Sequence, residues 1–196
     1  MNALWSAVIA IAFASGLNIY ATVLTLGLLG RFEVVELPGH LTALSSTLVL
    51  AVALFLFIVE FVADKVPYVD SAWDVLHSFI RPVGGAVLAY SAVADVDPQW
   101  QVAAALIGGG VALTSHAAKA SARAAANLSP EPFSNWTLSF LEDILAIGVV
   151  WLATSHPWLA LGVVIVLIAL AAYIVVKFSR LIRWLFWGPR RGRNAA

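Results

Sequence analysis

Residues 1–30 contain no Asp, Glu, Lys or Arg, and neither does the stretch from Ile144 to Val176. Apolar runs of this length constrain the chain more than any motif in it. A hydrocarbon core about 30 Å thick is crossed by about 20 residues of helix, and a helix satisfies its own backbone hydrogen bonds there. Of the 196 residues 62% are hydrophobic and 11% charged, with mean hydropathy +0.93. An average soluble domain is about 25% charged, so this chain has too few charges to cover a water-exposed surface. An ordinary soluble fold and a disordered chain are excluded, which leaves an all-α, polytopic membrane protein.

About six transmembrane helices are expected. The first runs from about Ala3 to Leu29, and Pro38-Gly39 marks the loop after it. The second covers about Leu41 to Ala63, and the third about Ser71 to Val93, with Pro82 inside it. The fourth runs from about Gln101 to Asn127, the fifth from about Ser134 to Ala153, and the sixth from Trp158 past Val176. Ala-Phe-Ala at residues 12–14 loosely resembles a signal-peptide cleavage site. No Lys or Arg precedes the apolar run, however, and it continues beyond, so an uncleaved first span is expected. Residues 1–187 form one transmembrane domain and 188–196 a basic cytoplasmic tail.

The charges total eleven basic and eleven acidic, but their distribution is uneven. Six of the basic residues lie after residue 176, and no acid follows Asp143. Lys65, Lys119, Arg123 and the tail put basic residues beside one set of span ends. By the positive-inside rule both termini are then cytoplasmic, in a cell inner membrane. Lys177, Arg180 and Arg183 recur every three residues beside Trp184 and Trp187, a pattern that suits a lipid-facing anchor at headgroup level. Neutral total charge argues against nucleic acid as a partner. The partners expected are membrane lipid and, if the chain self-associates, a second copy of itself.

A shift of 63 residues superimposes Pro67, Ser71, Trp73 and Gly85 on Pro130, Ser134, Trp136 and Gly148. Spans two and three are therefore read as repeated in spans four and five, a parallel repeat of a helical hairpin. The same shift sets Arg81 beside Asp143 and takes Glu60 to Arg123, so Arg81 is expected at the depth of the acidic pair Glu142–Asp143 and paired with it.

A charge near the bilayer centre costs about 2.5–3.5 kcal/mol on insertion scales, and needs a partner, water or a role. Helical spacing collects the polar residues into stripes. His116, Lys119, Arg123 and Asn127 share one face of span four; Asn135, Ser139 and Glu142 share one of span five; Asp74, His77 and Arg81 share one of span three. Glu60, Arg81, Arg123, Glu142 and Asp143 are the candidates for a midplane site. Asp64, Asp74, His77, His116 and Lys119 are placed at its cytoplasmic approach. Two alternatives stay open: a hydrated path for a small ion or polar solute, or buried ion pairs that only specify packing. Lys119, Arg123 and Arg81 could also receive an anionic lipid headgroup, which would make the protein a lipid handler.

Span one carries Ser15, Gly16, Asn18, Tyr20 and Thr22. Gly16 would let another backbone approach closely, and Asn18 could hydrogen-bond across helices. HExxH, GxSxG and Walker A are missing, and the chain has no Cys, so neither an enzyme nor a cofactor or metal site is expected.

The segment from Ser115 through His116, Lys119 and Arg123 to Asn127, then Pro130, Pro132 and Asn135 and later Glu142-Asp143, resembles small bacterial membrane proteins grouped as "domain of unknown function 4126". Ala14–Asn18, Asp64–Pro67, Trp73-Asp74 and Arg81-Pro82 are similar to that family as well. The resemblance covers about residues 10–155. It implies an integral membrane domain and no assigned activity.

Overall fold

The computed structural model describes residues 2–66, 69–127 and 132–187, which form eight helices and no strand. They are α1 (Asn2–Leu17), α2 (Ile19–Arg31), a 3₁₀ helix (Gly39–Ser45), α3 (Thr47–Ala63), α4 (Val69–Ala92), α5 (Pro98–Ala126), α6 (Pro132–Ser155) and α7 (Pro157–Trp187).

Three helices, α5, α6 and α7, are long and apolar enough to cross a membrane. The 3₁₀ helix and α3, bent by 73° at their junction, make a fourth candidate if counted as one span. The protein is thus all-helical and membrane-embedded. α4 has the length, 24 residues, but carries Asp70, Asp74, His77 and Arg81.

The expected first span is not continuous. Asn18 adopts an extended conformation (φ −151°, ψ 105°) that ends α1, and its side chain caps α2 by accepting from the Ala21 amide at 2.9 Å. Hydropathy sees one apolar run here. The backbone is divided because an Asn side chain can replace the helical acceptor of a free N–H.

α1 occupies the centre, touching α4, α5, α6 and α7. Every residue from 10 to 19 is buried. Gly16 explains how α1 lies so close to α5: a Cβ there would stand 1.9 Å from Ser115 Oγ and 2.1 Å from the Ala112 carbonyl oxygen. α4 and α5 also cross closely, though less tightly, at Gly85 and Gly108. α2 packs against the 3₁₀ helix, α3 and α6. By contrast the backbones of α3 and α4, and of α5 and α6, come close at few places, so these two pairs are splayed.

The two glycines of the expected repeat differ in their surroundings. Gly85 sits in the α4–α5 crossing, whereas a Cβ on Gly148 would meet nothing within 4 Å. Pro67 and Pro130 lie outside the described residues, and so does the Ser134 side chain. α7 is 31 residues long, which at about 1.5 Å each outruns an about 30 Å core. Lys177, Arg180, Arg183 and Trp184 at its end are exposed; the side chain of Trp187 and the tail 188–196 lie outside the described residues.

Candidate functional site: a buried ionic core around the helix break

The stripes on α4, α5 and α6 converge with the end of α3 on the break at Asn18. Glu60, Asp64, Asp74, His77, Arg81, His116, Lys119, Arg123, Asn135, Ser139, Glu142 and Asp143 are all buried, and Asn127 is half-buried at the edge.

Lys119 is the hub. Its Nζ donates to the Leu17 carbonyl at 3.1 Å, to Glu60 Oε1 at 3.1 Å and to Asp64 Oδ2 at 3.2 Å, and lies 3.4 Å from Glu142 Oε2. It is therefore not at an approach to the site but inside it. A long amine on α5 reaches both α3 and α6, which an assignment by depth along its own helix did not foresee.

Arg123 closes one side. Its Nη2 donates to Asp64 Oδ2 at 2.7 Å and to Glu142 Oε2 at 2.6 Å, and its Nη1 donates to the Asp64 carbonyl at 3.1 Å. Arg81 closes the other. Its Nη2 donates to Glu60 Oε1 at 2.6 Å, while Nη1 donates to His116 Nδ1 at 2.7 Å and lies 3.6 Å from Asp74 Oδ1. Arg81 is thus paired with Glu60 and Asp74, not with Glu142 and Asp143. Equal depth on two helices does not set which face each side chain takes, and the α4 stripe faces α3 and α5.

The histidine tautomers follow from their neighbours. His77 Nδ1 lies 2.8 Å from the Trp73 carbonyl, which can only accept, so Nδ1 carries the proton, and Nε2 is hydrogen-bonded with the Tyr20 hydroxyl at 3.1 Å. His116 Nδ1 accepts from Arg81, so its Nε2 donates to Ser78 Oγ at 3.0 Å, and Ser78 donates to the Asp74 carbonyl at 2.9 Å. The His116 ring is therefore neutral.

The break exposes the last carbonyls of α1, which a continuous helix would have used. Lys119 takes that of Leu17, and Arg81 lies 3.4 Å from that of Gly16. Cations at a helix C-terminus complement its dipole. At the other side of the break, Asn18 Nδ2 donates to Asp143 Oδ1 at 2.8 Å. Asp143 thus sits at the N-terminus of α2.

Four groups outside the expected site belong to its surroundings. Asn18 links α2 to α6. Asp70 accepts from Asn127 Nδ2 at 2.9 Å, and Asn127 in turn accepts from Asn135. Lys65 donates to Ser139 Oγ at 3.4 Å, and Tyr20 holds His77. Asn18 had a signal, a lone amide inside an apolar run. Asp70 had none, since its position reads as a loop.

Between α1, α5, α6 and α7 a cavity of about 190 Å³ leads inward from the apolar face. Leu138, Leu141, Leu145 and Leu170 line it, and Lys119 and Glu142 lie at its polar side.

The fold and this core define a class: a membrane-embedded helical protein whose interior is ionic and whose central helix is interrupted. The model of the domain of unknown function DUF4126 matches residues 6–177, and the chain belongs to that family. No curated protein and no solved structure matches the chain.

Proposed function

We propose that the protein transports, or lets permeate, a small ion or polar solute through the ionic core, without enzymatic chemistry and without a cofactor. The observation that carries this proposal is the interruption of the central helix inside that core. Non-helical backbone at membrane depth is tolerated where it is buried in protein or lines a cavity, and discontinuous helices form the midplane sites of many transporters. Here the freed carbonyls of Gly16 and Leu17 face Arg81 and Lys119 while Asn18 faces Asp143. A substrate would enter by replacing one member of these pairs.

On this proposal six membrane-crossing units are counted, the first being α1 with α2. Both termini lie on the cytoplasmic side of an inner membrane, with Lys177, Arg180, Arg183 and Trp184 at the headgroups. The splay of α3 from α4, matched by that of α5 from α6, supports the repeat of the two units. Membrane lipid, and a second copy of the chain, are its partners. The test is a Cys introduced at Ser139, which is fully buried beside Lys65. Transport predicts labelling by a membrane-impermeant thiol reagent from at least one side of intact vesicles. No labelling from either side removes the path.

One observation favours lipid handling as the alternative. The cavity lined by Leu138, Leu141, Leu145 and Leu170 is also lined by Lys119 and Glu142, so a chain could lie in it with an anionic headgroup toward Lys119. In that case anionic lipid co-purifies and is lost in Arg123→Ala. Mass spectrometry that finds none in the parent protein excludes it.

A further inference from the structure

Resting on the transport proposal, and naming its ion, we infer that Asp143 is a proton-binding site and that its proton acts on the helix break through Asn18. Five carboxylates of the core, those of Glu60, Asp64, Asp74, Glu142 and Asp143, are buried with the three cations Arg81, Lys119 and Arg123. Two negative charges are therefore left over if every acid is ionised. Surplus charge inside a membrane protein is expensive, and binding a proton or a cation removes it.

The geometry singles out Asp143. Glu60, Asp64, Asp74 and Glu142 each have a cation within 3.6 Å. Among the described residues Asp143 is in no ion pair. Its Oδ1 accepts from Asn18, and its Oδ2 is buried with no hydrogen-bond partner. Glu60 Oε2, Asp64 Oδ1 and Asp74 Oδ1 are also buried without a hydrogen-bond partner, but each of those carboxylates has a cation beside it; of the five, Asp143, only 6% exposed, is left with neither a countercharge nor a partner for its second oxygen. One free oxygen suits a proton better than a metal ion, which needs a shell of several oxygens; among the described residues no three His, Asp or Glu side chains converge to form one.

The charges that act on Asp143 come from α3 (Glu60 and Asp64), from Lys65 after α3, and from Lys119 on α5. α1 has no ionisable side chain, α2 has Tyr20, which holds His77, and Arg31 at its far end, and α7 has no charged residue before Lys177. The side chain in direct contact is Asn18. Its Oδ1 caps α2 while its Nδ2 holds Asp143, so one amide joins the carboxylate to the start of the helix. Protonation weakens a charge-assisted bond to a neutral one and removes the attraction of the anion for the N-terminus of α2. The local break is then held less firmly, which is how a proton could drive a conformational step.

The test is infrared spectroscopy of the reconstituted parent, Asp143→Asn and Asn18→Ala, titrated across about pH 4–9. A protonated-carboxyl band should titrate in the parent and vanish in Asp143→Asn. In Asn18→Ala its midpoint should rise by about one pH unit, because a hydrogen bond to the charged form is lost. Replacing sodium and potassium by choline should leave the midpoint in place. A band untouched by Asp143→Asn, or a midpoint set by either metal, overturns the inference. If Asp143→Asn does not fold, an unchanged midpoint in Asn18→Ala overturns it alone. Labelling at Ser139→Cys without an Asp143 band leaves transport standing and the proton site refuted; the band without labelling does the reverse.

Discussion

Arg81→Ala should destabilise the protein in detergent by about 3–5 kcal/mol, the usual cost of removing one partner of a buried ion pair. Arg81 has no exposed surface, and with it Glu60 loses its 2.6 Å contact and Asp74 its ion pair at 3.6 Å. Glu60 keeps Lys119 at 3.1 Å, so the loss should fall toward the lower end of that range. Adding Glu60→Gln to the variant should recover part of it, because the orphaned charge is gone. Adding Asp143→Asn should change stability by no more than it does in the parent, since Asp143 and Arg81 form no ion pair with each other and independent sites add. Thermal unfolding followed by size-exclusion chromatography reads all three. Rescue by Asp143→Asn, and not by Glu60→Gln, would restore the pairing suggested by the 63-residue shift and discard the one described above.

Gly16→Ala is the second large effect. The new Cβ would lie 1.9 Å from Ser115 Oγ and 2.1 Å from the Ala112 carbonyl oxygen. Ser115 could turn aside, at the cost of its 2.9 Å bond to the Phe13 carbonyl. The Ala112 oxygen cannot, because it belongs to the backbone of α5. The two helices must therefore separate. Overpacking costs about 1–3 kcal/mol where side chains can give way, and this site should lie at or above the upper end. Gly148→Ala, with open space around it, is the control and should be neutral or slightly stabilising, since Ala is the better helix former. Equal losses at both glycines would mean that α1 and α5 are not in contact at Gly16.

The two substitutions separate what the sequence reveals from what it hides. Spacing alone groups His116, Lys119 and Arg123 on one helix face, because a 3.6-residue period is a local property of a helix. Those faces do meet. Which carboxylate each cation takes is not local. Lys119 reaches Glu60, Asp64 and Glu142 across 59, 55 and 23 positions of sequence, and a stripe has no record of how its helix is rotated against the others. The break at Asn18 was hidden differently. Hydropathy averages over a window, and one Asn among Leu, Ile and Ala changes the average little while its side chain changes the hydrogen bonding completely. Gly16 was legible as a place of close approach, since few other reasons explain a glycine inside an apolar helix.

The central place of α1 has a consequence for how the protein is made. In chain order α1 precedes every helix that surrounds it. Ser15, Gly16 and Asn18 are therefore synthesised before their partners exist: the Ser115 contact to Phe13 spans 102 positions, and the bond from Asn18 to Asp143 spans 125. Until α6 is inserted, the amide of Asn18 has no carboxylate to meet, and the carbonyl of Leu17 waits for Lys119 on α5. The helix that precedes its partners in the chain is thus the last to be finished. A ribosome stalled before Asp143 emerges should hold an α1 that is inserted but still exchanges its amide protons at the break, and assembly of the core becomes a late, long-range event rather than a stepwise one.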